Sequence, residues 1–197
     1  FQVAAQSQWK FTRTLGNTEN RLQIGSDPSG DVSDSDYELT TLQAAQSSNY
    51  WYLGFHVPTA PTKNITYALY LDMDHQQASG ATSDARAYDV TMIPAYRPEY
   101  ALYILQESGS YSASKAYLYR WNGSSWNTVN VLSDIGGNIS YSSGYVEVQI
   151  PNTAIGYQDT TGSYAVSLFS LPASAGQPQD SVPSDPSIPG NGPISRF

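Results

Sequence analysis

The chain has 197 residues, of which 13% are charged, and 9 Lys and Arg against 17 Asp and Glu give a net charge of −8. That balance lacks the basic footprint demanded by nucleic-acid phosphates, and it disfavours an anionic membrane surface. Cysteine is absent, which removes disulfides, thiol chemistry and cysteine-held metal sites.

The chain opens with Phe1-Gln2-Val3 rather than Met, which suggests a mature product or an excised piece of a longer polypeptide carrying other domains. A first strand is expected over Arg21–Ile24. An acidic loop follows, Asp27-Pro28-Ser29-Gly30-Asp31 with Asp34 and Asp36, and then a strand over Tyr37–Ala45. In 49–57 one parity carries Trp51, Leu53, Phe55 and Val57, the other Tyr50, Tyr52, Gly54 and His56. In 65–72, Ile65, Tyr67, Leu69 and Leu71 alternate with Thr66, Ala68, Tyr70 and Asp72. Such strict alternation is the pattern of half-buried strands.

A second acidic loop runs from Asp72-Met73-Asp74 through Gly80 to Asp84 and Asp89, with a strand expected over Ala87–Ile93. Strands are also expected over Glu99–Gln106, Lys115–Trp121, Trp126–Val131 and Ser163–Leu171, and over Val146, Val148 and Ile150 alternating with Tyr145, Glu147 and Gln149. One helical turn is expected around Asn152–Ile155, after Pro151. If Asn122-Gly123 forms a two-residue type I′ turn, Trp121 pairs with Ser124, and Tyr117, Tyr119, Trp121 and Trp126 share one face. A longer loop through Ser125 changes that register.

About ten short strands without helical crossovers predict an all-β, antiparallel fold, a β-sandwich or a barrel. It should fill residues 1–171, leaving the Pro/Gly/Ser-rich stretch 172–197 as an extended tail or linker. No apolar run approaches the ~20 residues that cross a bilayer, so no membrane insertion is expected.

The acidic loops are oxygen-rich in the way Ca²⁺ requires, which makes Asp27, Asp31, Asp72, Asp74, Asp84 and Asp89 its candidate ligands. Neither loop is an EF-hand: counted from Asp72, Gln77 and Ser83 fill the glycine and glutamate positions. Asp, Ser and Gly also dominate ordinary turns, where their side chains satisfy loop backbone. Catalytic groupings are sparse. No Gly-x-Ser-x-Gly elbow occurs, and Glu99, Glu107 and Glu147 are the carboxylates that could form a glycosidase pair. The expectation is that the protein is not an enzyme.

The 16 tyrosines and 4 tryptophans are the stronger lead. Sugar-binding surfaces combine flat aromatics with a few orienting polar groups, and Tyr52, Tyr70, Tyr103, Tyr119, Trp121, Trp126 and Tyr145 fall on outward parities. Cross-strand aromatic pairing that stabilises the sheet accounts for the same residues.

Tyr70-Leu71-Asp72-Met73-Asp74-His75, then Ser79-Gly80-Ala81-Thr82 and Ala87-Tyr88-Asp89-Val90, resembles a pattern of extracellular bacterial β-sandwich domains. These are related to the DOMON and family 9 carbohydrate-binding-module superfamily. Arg97-Pro98-Glu99-Tyr100 and Val146-Glu147-Val148-Gln149-Ile150-Pro151 fit the same pattern, which covers about 21–171. The expected Asp-Gly turn followed by Asp-Trp at the start of such domains is missing. The resemblance implies a jelly-roll-like β-sandwich, a secreted or cell-surface module that binds carbohydrate, with structural calcium. A structural or adhesive domain that binds a cell-surface protein stays open beside it.

Overall fold

The computed structural model of the protein describes residues 22–58, 60–74, 76–156, 164–174 and 176–183. Among these residues, eleven strands form two antiparallel sheets packed as a β-sandwich, the architecture expected from the alternation. In chain order they are β1 (Leu22–Ser26), β2 (Thr41–Gln46), β3 (Tyr50–His56), β4 (Ile65–Asp72), β5 (Tyr100–Gln106), β6 (Ala116–Trp121), β7 (Trp126–Val131), β8 (Asn138–Ser142), β9 (Tyr145–Pro151), β10 (Ala165–Pro172) and β11 (Asp180–Val182). One sheet has the order β1-β2-β3-β9-β8, the other β11-β10-β4-β5-β6-β7. The described helical elements are short 3-10 turns, among them Asn152–Ala154 where one turn was expected. No described helix is long and apolar enough to cross a membrane.

The inward parities read from the sequence form the core between the sheets. Trp51, Leu53, Phe55 and Val57 meet Ile65, Tyr67, Leu69 and Leu71, and Val146, Val148 and Ile150 join them. A second apolar cluster lies on the outer face of the six-stranded sheet. Ala68, Tyr70, Ala101, Tyr103, Phe169 and Leu171 of the sheet pack there against Tyr88, Val90 and Met92 of the β4–β5 connection. That cover explains why every residue of β4 is buried, on both faces.

Four local expectations need correction. Residues 87–93 form no strand: their apolar alternation plugs Tyr88, Val90 and Met92 into the sheet's outer face without a ladder. The strand expected from Tyr37 begins at Thr41, because the Asp36 carboxylate accepts from Thr62 and Lys63 and holds Ser35–Tyr37 in a 3-10 turn. At the hairpin, Trp121 pairs with Trp126, not Ser124. Asn122 Oδ1 accepts from the backbone N–H groups of Ser124 and Ser125, each at 2.9 Å, which makes a four-residue loop in place of the two-residue turn. Finally, Asp180–Val182, inside the expected tail, pairs with β10 and completes the edge of the six-stranded sheet. Arg21, His75, Ser163 and the ends 1–21 and 184–197 lie outside the described residues.

Candidate functional site: an aromatic strip and two acidic clusters

The seven aromatic residues singled out in the sequence separate onto two faces. Tyr52 and Tyr145 lie on the outer face of the five-stranded sheet, where Tyr52 is buried and Tyr145 packs on His56 with ring centroids 4.6 Å apart. Parity distinguishes inward from outward, but it does not say which sheet a strand joins. The other five share the outer face of the six-stranded sheet.

On that second face, Tyr70 and Tyr103 are wholly buried, contrary to an exposed sugar-binding role. The connection 73–99 folds back over them. Asp84 fastens it: Oδ2 accepts from both tyrosine hydroxyls, and Oδ1 accepts from the N–H groups of Arg86 and Tyr88 at 2.8 Å each. Burial, with Asp84 adding to it, holds both hydroxyls well above the usual phenol range, so they remain donors. Tyr88 Oη donates to Pro172 O at 3.1 Å, and Trp126 Nε1 donates to Ser83 O at 2.6 Å.

Beyond the cover the face stays half-open. Tyr117, Tyr119 and Trp121 alternate along β6, and Trp126 meets Trp121 edge-on with centroids 5.7 Å apart. All four are only partly buried. They share one face, as the parity predicts, even though the turn differs. In cross-strand pairing Tyr117 stands opposite Tyr103, and Tyr119 opposite Ala101. Where the cover meets the strip, the Arg86 guanidinium lies over the rings of Tyr103 and Tyr117, 5.5 and 5.6 Å from their centroids.

The acidic residues are also regrouped by the fold. Asp27 and Asp31 come together with Glu38 and Asp180, and their four carboxylate oxygens lie within 4.8 Å of one another. Asp27, Glu38 and Asp180 are buried. Asp72 and Asp74 gather in the same way with Glu99. Asp84 and Asp89 belong to neither group: Asp84 holds the tyrosines, and Asp89 accepts from Gln177 Nε2 at 3.3 Å. Glu38, Glu99 and Asp180 carried no signal as ligands, because each reaches its cluster through long-range packing.

Burial pushes the Asp180 carboxyl up to about 8 against the Leu39 N–H that favours its charged form, and the Asp27 charge adds to the rise. Burial likewise raises Glu38, opposed by the Gly30 N–H at 2.8 Å. Glu99 is pushed up to about 7, first by burial, with the charges of Asp74 and Asp72 adding; the Met73 N–H opposes the shift. Each cluster offers oxygen donors only, the ligand chemistry of a hard cation such as Ca²⁺.

The glutamates considered for glycoside hydrolysis do not assemble. Glu99 and Glu107 flank opposite ends of β5, roughly 25 Å apart along an extended strand, against the ~5–10 Å that a pair needs. Glu147 lies on the outer face of the other sheet, and Glu107 is ion-paired to Lys115.

No family model, curated protein or solved structure matches the chain. The reading of these sites therefore rests on the chain's own residues.

Proposed function

We propose that the protein is a non-catalytic binding module of a secreted or cell-surface polypeptide, taking polysaccharide on Tyr117, Tyr119, Trp121 and Trp126. One observation carries this reading: these four rings stay half-open at the sheet edge, while the rest of the same aromatic face is sealed beneath residues 73–99. Alternate residues of a strand lie about 6.6 Å apart, on the scale of one sugar ring. Aromatic faces stack on sugar C–H surfaces, while nearby amides and hydroxyls orient the chain; Asn122 and Ser125 stand exposed beside the strip. Few charges and many tyrosines suit an extracellular setting. In the same reading, Ca²⁺ serves as a structural ion at Asp27, Asp31, Glu38 and Asp180, tying β11 and the β1–β2 connection together, with Asp72, Asp74 and Glu99 as a second place for it.

The test is affinity electrophoresis against a panel of neutral and acidic soluble polysaccharides with millimolar calcium present. Retardation by at least one polymer is expected, and it should be lost in the Trp121→Ala/Tyr117→Ala double variant at an unchanged far-UV spectrum and a cooperative melt. No retardation by any polymer would overturn this reading in favour of a structural or adhesive domain that binds a cell-surface protein.

A further inference from the structure

Resting on the reading of the aromatic strip as a saccharide site, we infer that its ligand is an acidic polysaccharide, with Arg86 receiving a uronate carboxylate. Three features meet at this residue. First, among the described residues its buried Nη1 has no hydrogen-bond partner. Second, it is held in place from two sides: its guanidinium lies over Tyr103 and Tyr117, and its backbone N–H is fixed by Asp84 Oδ1. Third, Nη1 is closed off from solvent while the residue as a whole remains half-buried. A ligand on the strip therefore meets the open remainder of a pre-positioned fork.

The neighbouring carboxylate does not cancel this charge through contact. Both oxygens of Asp84 are engaged, one by Tyr70 and Tyr103 and the other by two backbone N–H groups. Arg120, the next cation along β6, points to the opposite parity and packs near Tyr100, so among the described residues Arg86 is the cation stacked on the strip. A rigid planar guanidinium pairs best with a planar carboxylate through two parallel N–H···O bonds, and little side-chain entropy remains to be lost here. The overall charge of −8 does not forbid this, because exposed charges beyond about 8 Å are screened at physiological ionic strength.

The experiment compares polygalacturonate, the same polymer after carboxyl reduction, and a sulfated galactan, using wild type, Arg86→Gln and Arg86→Lys. Wild type should bind polygalacturonate at least about tenfold more tightly than the reduced polymer, the scale of one charge-assisted bidentate contact. Arg86→Gln should abolish that preference. Arg86→Lys should recover only part of it, because an ammonium lacks the fork. Thermal melts and near-UV spectra report whether each variant folds; if Arg86→Gln does not, the wild-type comparison decides alone. Equal wild-type binding of the acidic and reduced polymers would overturn the acidic preference and leave the saccharide reading standing. Tighter binding of the sulfated polymer would overturn the carboxylate assignment, and binding to none of the three, or to any wider panel, would overturn both.

Discussion

The hydroxyl of Tyr70, a fully buried residue at the centre of β4, donates to Asp84 Oδ2 at 2.6 Å, and Asp84 belongs to the connection that covers it. The same oxygen accepts from Tyr103. One carboxylate therefore locks the cover to two neighbouring strands. Replacing Asp84 by Ala leaves two phenols and two N–H groups without an acceptor, and each unsatisfied buried group costs about 1–3 kcal/mol. Asp84→Ala should lower the unfolding free energy by about 3 kcal/mol or more. Tyr70→Phe removes a single donor and should cost closer to 1 kcal/mol, ~1 being usual for one hydrogen bond. Urea unfolding of the two variants checks this; an Asp84→Ala midpoint equal to wild type would rule the lock out.

The base of the same cover depends on a glycine. Gly80 has φ +81°, and a Cβ there would lie 2.2 Å from Arg97 O and 2.7 Å from Glu99 Oε1. Two stretches of the connection close on this point, with Ala81 N donating to Pro98 O at 2.9 Å. Gly80→Ala adds a left-handed backbone penalty of roughly 1 kcal/mol to a backbone clash that has no flexible side chain to relieve it. A loss above about 2 kcal/mol is expected, with increased proteolysis within 73–99. Gly30→Ala is the control: it shares a positive φ of +84° but meets nothing within 4 Å. Equal melting temperatures for the two variants would show that close approach at Gly80 does not matter.

Much of this architecture was legible locally. The parities of 49–57 and 65–72 assign Trp51, Phe55, Tyr67 and Leu69 to the core correctly, because one buried face imposes a period of two. The shared face of Tyr119, Trp121 and Trp126 survives even a wrong turn, since going from a two-residue to a four-residue loop shifts the pairing by whole periods of the pleat. What sequence conceals is which outward faces a later segment covers. Tyr88, Val90 and Met92 alternate like a strand because alternate side chains enter the sheet's outer surface, and nothing local separates that from a ladder. The acidic clusters are half visible for the same reason: Asp27 and Asp31 are neighbours in sequence, whereas Asp180 arrives from the far end on β11.

The buried carboxyls predict a stability profile with two limbs. Asp36 is held below its ordinary range, chiefly by the Thr62 hydroxyl and also by the N–H groups of Thr62 and Lys63. A lowered folded-state value gives stability that is present above the unfolded value and lost as pH falls through the folded one. Asp180 and Glu99 are displaced the other way, to about 8 and about 7. Their contribution is complete below the unfolded carboxyl value of about 4 and is lost as pH rises through 7 and 8. In EDTA the melting temperature should therefore peak in mildly acid solution and decline toward pH 9. If Ca²⁺ occupies the clusters it displaces their protons, so its stabilisation should grow with pH. Asp180→Asn should flatten the alkaline limb and remove most of the calcium response. A melting temperature constant from pH 5 to 9 in EDTA would contradict the first claim, and no calcium shift at pH 8 would contradict the second.

The outer cluster should count as core in its own right. Phe169 is 1% exposed and meets Tyr70 edge-on with centroids 5.6 Å apart, beneath residues that belong to no strand. Were the connection a loose flap, truncating Phe169 would cost little, because water would fill the space. If the connection packs as firmly as the opposite sheet, Phe169→Ala should cost about 3–5 kcal/mol, the range for buried aromatics. Leu53→Ala, in the core between the sheets, sets the comparison at about 2–5 kcal/mol. The two variants should also unfold in single transitions with unchanged denaturant slopes, since both clusters share β4 and β10. A Phe169→Ala loss below about 1 kcal/mol, or an early separate transition, would mean that the cover opens independently of the sandwich. In that case Tyr70 and Tyr103 would again be reachable by a ligand.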